Sequence, residues 1–273
     1  MSTRQSTIQL LEARWGEGKN LCVGLDPDLK KIPAAAWREN NEATLVHFCC
    51  AIIEATGTFA AAFKANRGFF GSQGDGGVRA LQAIVQFACQ KFPEVVFIVD
   101  GKWNDIGNSF EQYGLEAFGV FAADAATANP FLAQDACKPF LDYKDRVTFW
   151  LCLTSNLGAG EFQKHGDPPL FLHIAKQIST RWNEHGNCGL VVGATHPQEL
   201  AAVREVAPDL PLLLPGISKQ QGDIDASAKA ARHRFLMNES RSIDYASSGA
   251  DFAEAAAQAA EKTHQKIVQA LAA

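Results

Sequence analysis

Short apolar runs alternate with longer helical patterns eight times along this chain, and that rhythm constrains its fold more than any other feature. The candidate strands are Leu21–Leu25, Phe59–Lys64, Val95–Asp100, Val120–Ala123, Val147–Leu153, Leu190–Ala194, Leu212–Pro215 and Phe235–Asn238. Between them lie Glu42–Thr56, Val78–Lys91, Ser109–Phe118, Leu170–Trp182, Pro197–Val206 and Ile224–Arg232, several with apolar residues at helical spacing and a Ser, Pro or Asp near the start. An Ala-rich stretch, Asp251–Leu271, supplies a last helix. Strand followed by helix, repeated, requires a parallel sheet with helical crossovers. Eight such units without a long linker predict an α/β fold, a closed (β/α)8 TIM barrel, as a single domain over residues 1–273.

Polar residues gather at one end of these strands. Asp26, Lys64, Asp100, Asp124, Thr154, Thr195 and Arg241 all fall at or just past a predicted C-terminal end. In a barrel of this kind that face carries the chemistry, while side chains along the strands fill the interior. The run Asp100-Gly-Lys102-Trp-Asn-Asp105 is the most informative of these sites. Residues two apart on a strand point to the same side, so Asp100 and Lys102 project together into the mouth, with Asp105 on the following loop. A Lys between carboxylates stays charged and favours their ionised forms. The spacing alone fits a surface ion pair leading into a helix cap as well as it fits a catalytic group.

Composition narrows the partners. The net charge is −5, which gives no global attraction for nucleic acid or acidic membranes, and no apolar run is long enough for a membrane helix. An anionic ligand would need a local cluster of cations and backbone N–H groups. The loops after the seventh and eighth strands offer Gly216, Gln220 and Gly222, then Arg241, whose planar fork suits a phosphate. Seven cysteines without a CxxC predict reduced thiols in a cytoplasmic protein. The histidines show no metal spacing, and His196 reads as a helix-start residue. Gly71–Gly77 reads as a flexible loop after the second strand.

Taken in order, these motifs resemble those of the orotidine 5'-phosphate decarboxylases, in their longer bacterial subgroup. The matching stretches are Gly24-Leu-Asp26-Pro-Asp28, Phe63-Lys64-Ala-Asn66, the Asp100–Asp105 run with its Ile-Gly-Asn-Ser tail, Asp124-Ala-Ala-Thr127-Ala-Asn129-Pro130, Thr154-Ser155-Asn156, Val192–Pro197, Pro215–Asp223 and Asn238–Arg241. Trp103-Asn104, Ser218-Lys219 and Ser242 depart from the usual residues of that subgroup. The resemblance implies a catalytic network of Lys64, Asp100, Lys102 and Asp105. In it Lys102 protonates the pyrimidine C6 as CO2 leaves, and Asp105 serves a partner's site in a homodimer. It also implies substrate binding by Asp26, Asn66, Thr154, Ser155, Pro215, Gln220 and Arg241, with no cofactor and no metal. Two alternatives remain at this point: a Mg-dependent sugar-phosphate decarboxylase or synthase of the same superfamily, and a catalytically silent nucleotide-binding paralogue.

Overall fold

The computed structural model describes residues 5–217 and 223–272. Among these, β1 (Leu21–Leu25), β2 (Ala60–Asn66), β3 (Val96–Trp103), β4 (Ala125–Ala128), β5 (Val147–Leu153), β6 (Cys188–Val192), β7 (Leu212–Pro215) and β8 (Phe235–Glu239) pair in sequence order, all parallel, and β8 returns to β1. The barrel expected from the sequence is therefore closed.

The chain enters through α1 (Thr7–Gly16), and α2 (Asn41–Thr56) follows β1. After β2 come α3 (Arg67–Gly71) and α4 (Gly74–Lys91), and after β3 comes α5 (Gly107–Gly114), prolonged by wider π-helical turns over Leu115–Val120. The remaining helices are α6 (Ala133–Leu141), α7 (Leu170–Gln177), α8 (Pro197–Val206), α9 (Ile224–Ala231), α10 (Arg241–Asp244) and α11 (Phe252–Ala272). None of the described helices is long and apolar enough to cross a membrane.

Strand periodicity sorts the core into two layers. Cys22, Ala62, Val96, Ile98, Ala125, Val147, Phe149, Val191, Leu213 and Leu236 fill the barrel interior. Their neighbours, such as Val23, Phe63, Phe97, Val99, Trp150, Leu190, Leu212 and Met237, face outward and pack beneath the helices. One inward step above Ala62 is Lys64, and the two inward steps above Ile98 are Asp100 and Lys102. The same alternation that fills the barrel thus delivers charged groups to its mouth.

The opposite face is closed by α1, whose Ser6 and Gln9 form a capping box at its start. Leu10 and Leu11 join the interior cluster. Thr7 Oγ1 donates to the carbonyl of Asp124 at 2.7 Å, Arg14 Nη2 to Ala60 at 2.5 Å and Trp15 Nε1 to Phe235 at 2.8 Å.

Three expectations need correction. Val120–Ala123 is not a strand: the helical turns run to Val120, and β4 begins at Ala125. A four-residue apolar run does not reveal its period, and the Ala-rich β4 has weak strand propensity. Asp124 consequently sits at the N-terminal end of β4, away from the mouth. There its carboxylate accepts the Phe97 N–H at 2.9 Å and pairs with Arg146 at 3.1 Å. The Gly71–Gly77 segment is mostly helical and not a loop. A Cβ on Gly77 would lie 1.9 Å from the Phe70 carbonyl oxygen, so the close approach of α3 and α4 needs glycine there.

Below the barrel, Arg204 of α8 is fully buried and is satisfied entirely by carbonyls. It donates to Ala231 (2.9 Å), Ala207 (3.1 Å), Pro208 (2.9 Å), Leu210 (2.9 Å) and His233 (2.8 Å), tying the entries to β7 and β8 together. Burial lowers its pKa to about 10, which leaves it charged at neutral pH. Arg204→Met should lower stability by on the order of 3 kcal/mol, because several carbonyls lose their donor at once. Urea denaturation measures this, and a loss below about 1 kcal/mol would mean that water replaces the guanidinium.

Candidate active site

At the C-terminal ends of the strands a cavity of about 480 Å³ opens, lined from all eight strands or the loops that follow them. Asp26 follows β1, while Lys64 and Asn66 end β2. Asp100 and Lys102 come from β3 and Thr127 from β4. Thr154 and Ser155 follow β5, Pro215 ends β7, Asn238 is on β8, and Arg241 opens α10. A groove of about 1330 Å³ between α6 and α7 is larger, but it lies in the helical layer. Its lining gathers no charged group at a strand end, so size alone does not mark the site.

The centre of the cavity is a charge cluster. Lys64 Nζ lies 3.2 Å from Asp100 Oδ2 and 3.8 Å from Asp26 Oδ1, and Lys102 Nζ sits 2.7 and 2.8 Å from the two Asp100 oxygens. Lys64 and Asp100 are only 5% and 6% exposed, whereas the Lys102 side chain is 46% exposed and can reach a ligand. Burial opposes charge on both buried groups. For Asp100, the two lysine charges and hydrogen bonds from Lys102 and Thr127 outweigh that penalty and hold its pKa well below the usual carboxylate range. For Lys64, Asp26 and Asp100 together outweigh burial and raise its pKa. Beneath Lys64, burial pushes the Cys22 thiol up to about 12, so it is no nucleophile at neutral pH.

Lys102 holds an unusual backbone. Its φ is +48°, a left-handed conformation that costs a β-carbon-bearing residue on the order of 1 kcal/mol. The Lys102 N–H donates to Thr127 Oγ1 at 3.0 Å, and the same hydroxyl donates to Asp100 Oδ1 at 2.6 Å. Thr127 therefore orients both members of the ion pair, yet the sequence reading did not place it among the site residues. With β4 in its true register the hydroxyl would have been seen to point inward.

The other expected residues are distributed as follows. The Asn66 N–H donates to Asp26 Oδ1 at 3.3 Å, while its side chain caps α3 through Gly68 N–H at 2.9 Å. The Thr154 N–H donates to Gln163 Oε1 at 2.7 Å, and its hydroxyl is engaged by Gln163 Nε2 at 2.9 Å. Ser155, Pro215 and Arg241 line the cavity directly. Asp105 does not: its Oδ1 accepts the neighbouring Ile106 N–H at 2.8 Å, beside an exposed Ile106 side chain. Thr195 donates to the Ser155 carbonyl and His196 precedes α8 at its start. Gln220 and Gly222 lie outside the described residues.

Among the described lining residues, Lys64, Lys102 and Arg241 face two carboxylates, Asp26 and Asp100. One cation is thus in excess for an anionic ligand. Asp28, which could have supplied a metal ligand with Asp26, pairs instead with Lys31 at 2.6 Å. No group of three or more His, Cys, Asp or Glu converges among the described residues.

Comparison with known proteins bears on this arrangement. Residues 19–263 match the model of the "Orotidine 5'-phosphate decarboxylase / HUMPS family". The chain is 41% identical to an orotidine 5'-phosphate decarboxylase of Janthinobacterium sp. (strain Marseille), over 95% of this chain and 97% of that one. It is 42% identical to that of Delftia acidovorans, over 93% and 94% of the two chains. The structure of Leishmania donovani OMP decarboxylase superimposes with a TM-score of 0.80 at 34% identity, over 95% of this chain and 99% of that one.

Proposed function

The chain belongs to the orotidine 5'-phosphate decarboxylase / HUMPS family, and on that premise we propose a division of labour among its cavity residues. The reaction is the decarboxylation of orotidine 5'-phosphate, a step of pyrimidine biosynthesis, which makes the protein a carboxy-lyase. In this reading the bond between C6 of the pyrimidine and its carboxylate breaks, CO2 departs, and the electron pair stays on C6. The Lys102 ammonium delivers its proton to that carbon and is recharged from water. Asp100 faces the substrate carboxylate; the repulsion of like charges disfavours the bound ground state and is relieved as CO2 leaves. Lys64 keeps Asp100 ionised, Asp26 holds a ribose hydroxyl, Ser155 meets the pyrimidine amide with Thr154 behind it, and Arg241 grips the phosphate beside Pro215. Asn66 contributes through Asp26, and Gln220 is assigned to the phosphate from the resemblance alone. No step in this reading calls for a metal or a cofactor.

One observation supports the reading above the others: a carboxylate held ionised between two lysines in a cavity whose described charged lining carries one cation in excess. The test is an absorbance assay of orotidine 5'-phosphate consumption by the purified protein, with and without EDTA. Rapid conversion indifferent to the chelator is expected; absence of conversion would overturn the reading.

Arg241→Ala should lower kcat/KM by roughly 10- to 100-fold, since a charge-assisted contact contributes on the order of 1.5–3 kcal/mol. Steady-state kinetics decide it, and an unchanged kcat/KM would remove Arg241 from the phosphate site. Asp105 is assigned to a partner's cavity in a homodimer, consistent with its turn away from its own. Lys102→Ala and Asp105→Ala would then each be nearly inactive alone, yet mixed and re-equilibrated they should recover roughly a quarter of wild-type activity, because half the pairs carry one intact site. No recovery in verified mixed dimers would place Asp105 in its own protomer's site.

A further inference from the structure

Behind the cavity-facing Asp26 lies a second carboxyl for which the proposed chemistry has no use. Asp244 ends α10, is 1% exposed, and accepts the backbone N–H of Asp26 through Oδ2 at 3.1 Å. Its other oxygen, Oδ1, is buried with no hydrogen-bond partner among the described residues. The next residue completes a grip on the same loop. The Tyr245 hydroxyl donates to the Asp26 carbonyl at 3.0 Å and accepts the Asp28 N–H at 2.7 Å. Two adjacent side chains of the loop after β8 therefore hold three backbone groups of the loop after β1. Pro27 between them fixes its own φ and narrows the freedom left to Asp26.

The groups facing Asp244 are Asp26 after β1, Lys64 of β2, Cys49 of α2 and Tyr245. Burial, then the charge of Asp26, raises the Asp244 pKa well above the usual carboxylate range, and Lys64 does not reverse it. A neutral acid tolerates one donor and one unpaired oxygen far better than a buried anion does. It also leaves Lys64 to Asp26 and Asp100. Burial pushes the Cys49 thiol and the Tyr245 phenol upward as well, so neither adds charge beside it at neutral pH.

We propose that Asp244 is a positioning residue: with Tyr245 it fixes the Asp26 backbone so that the Asp26 carboxylate is presented to a ribose hydroxyl of the substrate. This rests on the reading of Asp26 as a ribose ligand. Asp244 touches no substrate and acts only through Asp26.

Kinetics of single and paired variants with orotidine 5'-phosphate provide the test. Asp244→Val should raise KM about tenfold or more while kcat moves less. Asp244→Asn, whose amide oxygen can accept the same N–H, should restore KM to within about threefold of wild type. Tyr245→Phe, which removes only the hydroxyl that holds Asp26 and Asp28, should raise KM in the same direction and covers the case in which Asp244→Val folds poorly. In an Asp26→Ala background both penalties should vanish, because there is no carboxylate left to place. Full penalties persisting in that background, or Asp244→Asn as impaired as Asp244→Val, would overturn the proposal and leave Asp26 its role. A wild-type KM in Asp26→Ala alone would overturn the ribose assignment, and the proposal with it.

Discussion

Lys102→Ala is expected to lower kcat by on the order of 10⁴-fold, the upper range for loss of a positioned proton donor, while uridine 5'-phosphate still binds within about tenfold of wild type. The geometry separates the two quantities. Lys102 contacts Asp100 at the end of β3, whereas the proposed phosphate grip lies with Arg241 at the start of α10, after β8. Stopped turnover together with retained binding, by calorimetry and the absorbance assay, is the expected pair of results. Turnover within tenfold of wild type would transfer the proton-donor role to another group.

The second large effect belongs to Asp100. Asp100→Ala should cost turnover on the order of 10³-fold and stability about 3–5 kcal/mol, because it strands Lys64 in the barrel with only Asp26, 3.8 Å away. The pH dependence has a definite sign. The folded-state pKa of Asp100 is depressed below the unfolded value of about 3.9, so its contribution is complete above pH ~4 and is lost as pH falls through the folded value. The stability gap between wild type and Asp100→Asn should therefore be full at pH 7 and narrow below pH ~4. Urea denaturation at both values measures it; a gap unchanged in acid would contradict the ionised assignment. Asp244 has the opposite slope: its raised pKa favours the fold most below the unfolded value, and that advantage fades as pH rises through the folded one.

Much of this site was legible because strands impose a period of two. Asp100 and Lys102 had to share a face, and Lys64 had to point the same way as the residue two before it. The eight-fold alternation gave the barrel by the same logic. Failures came where a short segment carries no period. At Val120–Ala128 an apolar helix end and an Ala-rich strand look alike, which put Asp124 at the wrong face and hid Thr127. Helix α1 carries a local signal of its own, Ser6 three residues before Gln9, the pattern of a capping box. The left-handed φ of Lys102 and the Asp244–Tyr245 grip depend on which loops meet in space, and no local pattern encodes that.

Helix α1 has a consequence for the order of assembly. It is made early, yet the carbonyls that receive Thr7, Arg14 and Trp15 belong to residues 124, 60 and 235. No seat for Leu10 and Leu11 is complete until β8 has been synthesised and has closed against β1. A helix made before all eight strands therefore gains its full set of native contacts only when the barrel closes. A slow translation step between α1 and β8 would prolong the interval in which two leucines wait in water, and would weigh on yield without touching a single catalytic group.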